Sequence, residues 1–274
     1  MHAPADDPAG AEAARKSIDK ARGLLLDWDG CAATGNRPHE QAVTFIAKHR
    51  PRLAIVSNNS TQTPEDISGL LADAGVDFPS ARIFLAGMEA LTYAAGIPGV
   101  RSLVLANGRM KALGRAAGLQ LVRGDADAVV LLRDTKFTYS KLERAVHSLA
   151  RGARLIVANP DTTHPGQGGA LVPETGALLA AITSCIDLQP ENVQIIGKPS
   201  SFLFERACAA LKVTPESALM IGDNPDTDIK GAHRLGMPSL LMAPGSRLTF
   251  SELLGEHAPA MRFARPRAAR RVAF

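Results

Sequence analysis

Several aspartates fall where apolar runs break off. Asp27 and Asp29 follow GLLL in the stretch LLLDWDGCAATG, and Asp223, Asp226 and Asp228 follow ALMIG in IGDNPDTDIKG. An ionised carboxylate at the end of a buried strand is costly. Two of them held about 4 Å apart repel by roughly 4 kcal/mol at an effective dielectric of ~20, so a cluster this dense needs a cation or a shared proton. An Asp-Gly pair after a strand also makes an ordinary turn, and DWDG alone does not decide between the two. The donors are all oxygen, with no His or Cys beside them, which selects a hard ion. Magnesium fits, because it binds through one or two carboxylates, keeps several waters and takes a phosphate oxygen as a further ligand.

Two further breaks carry complementary groups. Lys198 in GKPS offers a fixed positive charge, and the loop Ser57-Asn58-Asn59 offers a hydroxyl, side-chain amides and backbone N–H groups. Together with the acids they describe a site for a dianionic phosphoryl group. Each element is weak alone: a lysine before proline is commonly surface, and SNNST reads as a turn into a helix. Their order after successive strands is what carries weight.

The elements that must position these residues alternate along the chain. Strand candidates are GLLLD, RLAIVS, ARIFLA, RSLVLA, AVVLL, RLIVA, VQIIG, ALMIGD and PSLLM. Helix starts are signalled at Thr63 with Pro64 and Glu65, at Thr175 before GALLAAI, at Ser200 or Ser201 before FLFERACAALK, and at Thr214 with Pro215 and Glu216. This is the pattern of an α/β protein with a parallel sheet. Ligands bind such sheets outside the carboxyl ends of the strands, so DWDG, SNNST, GKPS and GDNPDTD are expected to meet in one crevice. The stretch 100–190 has strands and helices but no comparable acidic strand end, and reads as an inserted second domain. That leaves 20–99 and 191–274 as a discontinuous core and 1–19 as a loose tail, the opening stretch leading into an ordinary helix.

The combination of DWDG, SNNST, ANPDTTHPG, LVPETGALLAAI, GKPS and GDNPDTDIKGAHRLGM, running from residue 24 to about 245, resembles the haloacid dehalogenase superfamily of phosphohydrolases. The resemblance is to its NagD-like, nitrophenylphosphatase-like branch with a C2-type cap. It implies a Rossmann-like parallel-sheet core with an inserted α/β cap over residues 100–190. It also implies that Asp27 is the nucleophile that takes up the phosphoryl group. Asp29 would protonate the leaving oxygen and later activate water. Ser57 and Asn58 would hold the phosphoryl oxygens, and Lys198 would steady the nucleophile and the developing charge. Magnesium would be held by Asp27, the main-chain carbonyl of Asp29 and the carboxylate of Asp223, with Asp228 and Asn224 as outer support. Asp161, Thr162, Thr163 and His164 are the cap's candidate leaving-group contacts, with a polar turn free of substrate as the alternative. The chain departs from the family where Cys31, Ala32 and Ala33 follow DWDG in place of threonine or valine. Cys31 is expected to behave as a small buried hydrophobe, and alternation along an extended segment turns Trp28 away from both aspartates.

Composition bounds the rest. With 274 residues and a net charge of +4, the chain can bury one large core or two ordinary ones. No apolar run is long enough to cross a bilayer, and the polar, Ala/Pro-rich start lacks the features of a secretory signal. Cys31, Cys185 and Cys208 form no CxxC pair, which fits a reducing cytoplasm. The arginines of MRFARPRAARRVAF read as a solvated tail, since few aromatics accompany them to stack on bases. The expected partner is therefore a small phosphate ester, with no nucleic-acid polymer and no membrane, and a homo-oligomer left open. The resemblance favours nucleoside monophosphates as substrates, with glycerol phosphate, phosphoglycolate, pyridoxal phosphate and sugar phosphates open. Two other readings use the same residues: a phosphotransferase or mutase, and a phosphate-binding regulatory protein without turnover.

Overall fold

Gly23–Leu26 (β1) carries no polar side chain, and all four of its residues are buried. A strand of that kind must be covered on both faces, as the inner strands of parallel sheets are. In the computed structural model, which describes residues 8–165, 170–242 and 248–255, β1 lies at the centre of a five-stranded sheet. Its neighbours are Leu53–Ser57 (β2) and Ile83–Leu85 (β3) on one side. A second five-stranded sheet is built from Arg101–Leu105 (β4), Gln120–Leu121 (β5), Ala128–Leu131 (β6), Arg154–Val157 (β7) and Val193–Ile195 (β8). The chain then returns to the first sheet with Ala218–Gly222 (β9) and Ser239–Leu241 (β10). The orders are β10-β9-β1-β2-β3 and β8-β7-β6-β4-β5, with every pairing parallel. In the first sheet the chain runs outward from β1 in one direction and later in the other. The crevice at that reversal is where α/β sheets bind ligands.

Strand alternation sorts the core. Leu25, Ala54, Val56 and Met220 face one apolar cluster, which continues through Ala90 and Leu91 of the helix Ala86–Ala95 to Val104, Val130 and Ile156 of the second sheet. Leu24, Leu26, Ile55 and Ile221 face another, with Trp28, Phe45 and Phe78. The two sheets therefore share a continuous apolar seam. Arg109, in the first turn of the helix Gly108–Ala116, adds a two-pronged contact to Asp66 at 2.7 and 2.8 Å. The helix Pro64–Asp73 begins at Thr63, and the same Asp66 closes a reciprocal cap with that threonine.

Three expectations need correction. Residues 8–19 are not a loose tail: Pro8–Lys20 is a helix whose Ala11, Ala14 and Ile18, spaced along one face, are buried. Val193–Ile195 pairs with β7 and so belongs to the second sheet, which moves the return to the first sheet beyond residue 190. Thr214-Pro215-Glu216 starts only a single turn, Pro215–Ser217, because β9 begins at Ala218. The arginine-rich segment 261–274 lies outside the described residues.

Candidate active site

Asp27 still pairs with β9 through its backbone, donating to Ile221 O at 2.9 Å, so its side chain emerges from the sheet's carboxyl edge with 4% exposure. Trp28 turns the other way into the core. The chain then reverses tightly: Gly30 N donates to Ala33 O at 2.9 Å and Ala33 N to Trp28 O at 2.8 Å. Gly30 has φ +94, and a Cβ there would lie 2.5 Å from Asp223 Oδ2, so both backbone and space require glycine. That reversal leaves Asp29 exposed at the mouth of the crevice.

From the end of β2, Ser57 Oγ donates to Asp29 Oδ2 at 2.8 Å and accepts from Asn59 N at 3.0 Å. Asn59 Nδ2 approaches the same carboxylate oxygen at 3.3 Å. The Asn58 side chain bonds Lys198 O at 3.0 Å, Lys198 N at 2.7 Å and Asp161 Oδ2 at 2.9 Å. Asn59 is the amide that faces the acids. Two adjacent asparagines after a strand carry no sequence signal for which one points inward beyond the period-2 alternation, and the loop breaks that period.

Lys198 follows β8, an edge strand of the second sheet, yet its ammonium reaches into the first. Nζ lies 2.5 Å from Asp27 Oδ1, 2.6 Å from Asp228 Oδ1 and 3.1 Å from Val56 O. Lys198 and Asp228 are as buried as the surrounding core. Burial alone would lower the lysine's pKa, but Asp228 and then Asp27 outweigh it and hold the ammonium above the ordinary range. Asp27 is shifted the other way from a surface carboxylate: burial pushes it well up, Lys198 opposes, and Asp228 and Asp223 add to the rise. Burial, followed by Asp228, also raises Asp223.

Asp228 sits in the widened turn Pro225–Ile229. Asn224 starts that turn, accepting from Asp226 N at 2.9 Å and Thr227 N at 3.3 Å, while its own N–H donates to Asp228 Oδ2 at 3.1 Å. A Cβ on Gly222 would fall 2.2 Å from the same Asp228 oxygen, so glycine lets the carboxylate fold back under the strand. Asp226 points into solvent and takes no part.

Asp27, Asp223 and Asp228 each offer a carboxylate oxygen, all within 4.8 Å of one another. With Lys198 as the one cation bonded to this cluster among the described residues, three ionised carboxylates leave an excess of two negative charges. An all-oxygen donor set with that excess suits a hard divalent cation. Lys198 meets one oxygen of Asp27 and one of Asp228, but the second oxygen of Asp228 also accepts from Asn224 N, which leaves Asp27 and Asp223 as the better-placed ligands. Cys31 is buried beside this cluster, and burial followed by the Asp27 charge pushes its thiol well above the usual range. It is a neutral thiol in the core, as the sequence suggested.

The loop after β7 supplies the second sheet's contribution. Asp161 bonds Asn58, Thr162 and Thr163 are exposed, and His164 Nδ1 lies 2.8 Å from Glu174 Oε1. Asn159, which the sequence reading passed over, donates to Asn58 O at 2.8 Å and receives Asp161 N at 3.1 Å.

Residues 24–120 match the haloacid dehalogenase-like hydrolase family, and residues 195–264 match a further HAD-hydrolase-like family. The chain is 30% identical over 238 residues to D-glycerol 3-phosphate phosphatase of Mycobacterium tuberculosis, covering 85% of this chain and 66% of that protein. It is also 30% identical over 238 residues to a 5'-nucleotidase of Bacillus subtilis, covering 82% of this chain and 88% of that one. The p-nitrophenyl phosphatase of Archaeoglobus fulgidus superposes with a TM-score of 0.74 at 25% identity, over 81% of this chain and 86% of its own. NagD of E. coli superposes with a TM-score of 0.70 at 25% identity, over 81% and 87%. Strand order, crevice and sequence kinship converge: the chain belongs to the haloacid dehalogenase superfamily, in its NagD-like branch, and is a phosphatase of that type.

Proposed function

We propose that this protein is a magnesium-dependent phosphomonoester hydrolase of small phosphorylated metabolites, working through an aspartyl-phosphate on Asp27. The observation that carries it is the meeting of the loops after β1, β2, β8 and β9: Lys198 Nζ touches Asp27 at 2.5 Å while Ser57 touches Asp29 at 2.8 Å. In this reading an Asp27 carboxylate oxygen attacks phosphorus and the ester oxygen leaves. The ammonium of Lys198 opposes the burial that raises Asp27, would favour its ionised form together with the metal, and draws the substrate's charge toward it. Asp29, held by Ser57 and Asn59 at the crevice mouth, gives its proton to the departing oxygen and then takes one from the water that cleaves the acyl phosphate. Ser57 and the backbone of its loop hold the phosphoryl oxygens. Magnesium, carried by Asp27, Asp223 and the main-chain carbonyl of Asp29, would supply further charge compensation. The second sheet serves as the cap that excludes water and selects the leaving group.

For the substrate, a nucleoside monophosphate is the finer reading, supported by the relative named as a 5'-nucleotidase. Other relatives are a D-glycerol 3-phosphate phosphatase, a dihydroxyacetone phosphatase and an acid sugar phosphatase, and the structure of a glycerol phosphate phosphatase from Mycobacterium tuberculosis is in complex with calcium. Three free cysteines, two of them buried, support a reducing, cytoplasmic setting. The described residues include no helix long and apolar enough to cross a membrane. Release of inorganic phosphate from a panel of nucleotides, triose phosphates and sugar phosphates, with magnesium and with chelator, tests the reading. Turnover that survives chelation, or a panel with no substrate, contradicts it.

A further inference from the structure

The Asn58 side chain is bonded on three sides within the protein. Its Oδ1 accepts from Lys198 N at 2.7 Å and its Nδ2 donates to Lys198 O at 3.0 Å, so one side chain grips both peptide groups of a single residue. The other Nδ2 hydrogen goes to Asp161 Oδ2 at 2.9 Å. This orientation is the only one that works, because Lys198 N–H needs an acceptor while its carbonyl and the Asp161 carboxylate need donors. We infer that Asn58 is a positioning residue for Lys198, and that Asp161, reaching across from the second sheet, sets the direction of the Asn58 amide.

The surroundings are built for that grip. A Cβ on Gly197 would lie 2.6 Å from Asn58 Oδ1 and 2.6 Å from Ala158 O, so only glycine lets the lysine's loop approach. Asp161 is itself fixed: its N–H donates to Asn159 Oδ1 at 3.1 Å and its carbonyl accepts from Gly176 N at 2.7 Å. Asn159 Nδ2 closes the ring on Asn58 O at 2.8 Å. Three loops, after β2, β7 and β8, thus lock one another. The lysine side chain is long, and which carboxylate oxygens its ammonium meets depends on where its backbone is held. A displacement of about 1 Å in such a group costs on the order of a hundredfold in rate.

The inference rests on the proposed phosphatase reading, and the kinetics separate the two. With p-nitrophenyl phosphate and saturating magnesium, Asn58→Ala should lower kcat by about ten- to a hundredfold. KM and the inhibition constant of inorganic phosphate should stay within about threefold, while orthovanadate, which mimics the five-coordinate state, weakens by the factor lost in kcat. Asp161→Ala should fall well below the parent, and Asp161→Asn, which keeps an acceptor oxygen, should recover most of that loss. The double variant Asn58→Ala with Asp161→Ala should be no worse than Asn58→Ala alone. The Asp161 pair decides the matter even where Asn58→Ala does not fold. A rise in KM and in the phosphate constant with kcat retained would make Asn58 a direct phosphoryl holder and overturn the inference. Additive Asn58 and Asp161 effects, or Asp161→Asn as damaged as Asp161→Ala, would also overturn it. A parent protein without turnover would remove both the inference and the reading beneath it.

Discussion

The ammonium of Lys198 meets the carboxylate of Asp27 at 2.5 Å, with both side chains nearly inaccessible to water. The same ammonium serves Asp228 at 2.6 Å. One buried cation therefore holds together acids contributed by β1 and by the turn after β9, on behalf of a loop that follows the second sheet.

Removing that cation should be felt in folding as well as in catalysis. Lys198→Ala leaves two buried carboxylates unpaired, a defect that costs about 3–5 kcal/mol when one partner of a buried pair is lost. Urea denaturation without divalent cation should show a loss of that order, partly recovered on adding magnesium, and the variant should lack measurable turnover. Stability equal to the parent's in both conditions would mean that the pair contributes nothing to folding.

The acid cluster sets a pH dependence whose sign can be worked out. Burial raises Asp27 and Asp223, so the folded chain holds protons that the unfolded chain releases near pH ~4. Without divalent cation this contribution is fully present below about pH 4. It is lost as pH rises through the raised folded values. A divalent cation needs those carboxylates ionised and should bind more tightly over the same rise. The gain in Tm on adding magnesium should therefore grow with pH, and a gain that is flat or shrinks would place the ion elsewhere.

Gly30 tests the seating of Asp223. With φ +94 and a Cβ position 2.5 Å from Asp223 Oδ2, Gly30→Ala must shift the loop or the carboxylate. Strain at such a backbone costs about 1–3 kcal/mol. The magnesium concentration giving half-maximal rate should rise severalfold, read from a metal titration of turnover. An unchanged titration would detach Asp223 from the metal.

Asp29 should matter in proportion to how badly the leaving group needs a proton. Asp29→Asn should lower kcat/KM by about 10²–10⁴-fold for an alkyl phosphate. The loss should be smaller for p-nitrophenyl phosphate, whose leaving group departs as a stable anion. Equal losses for the two esters would remove the acid role.

The strand-end pattern made much of this arrangement legible from residue types alone. Asp27, Ser57, Lys198, Asp223 and Asp228 all stand at breaks in apolar runs, and the structure brings them to one crevice. What escaped has physical reasons. Val193–Ile195 reads like any buried strand, and nothing local says which sheet it joins, because parallel pairing is decided by the crossover before it. The helix into which the opening stretch leads begins as early as Pro8, because Ala11, Ala14 and Ile18 pack on one face of a segment that is polar on average. The direction of the Asn58 side chain, toward Lys198 and Asp161, and of Asn59, toward Asp29, depends on tertiary contacts that no spacing rule contains. Asp226 looked equivalent to its neighbours because the turn Pro225–Ile229, which sends it outward and Asp228 inward, has no short-range signature.

The most direct measurement is chemical trapping of the intermediate. The Asp29→Asn variant, slowed in the hydrolytic half-reaction, is mixed with magnesium and ³²P-labelled p-nitrophenyl phosphate, whose leaving group needs no proton, then quenched in acid and mapped by peptide. The expected result is label on the peptide carrying Asp27, released by hydroxylamine and absent from Asp27→Asn. Substrate consumed with no label on the chain, or label on any other residue, would contradict covalent catalysis by Asp27.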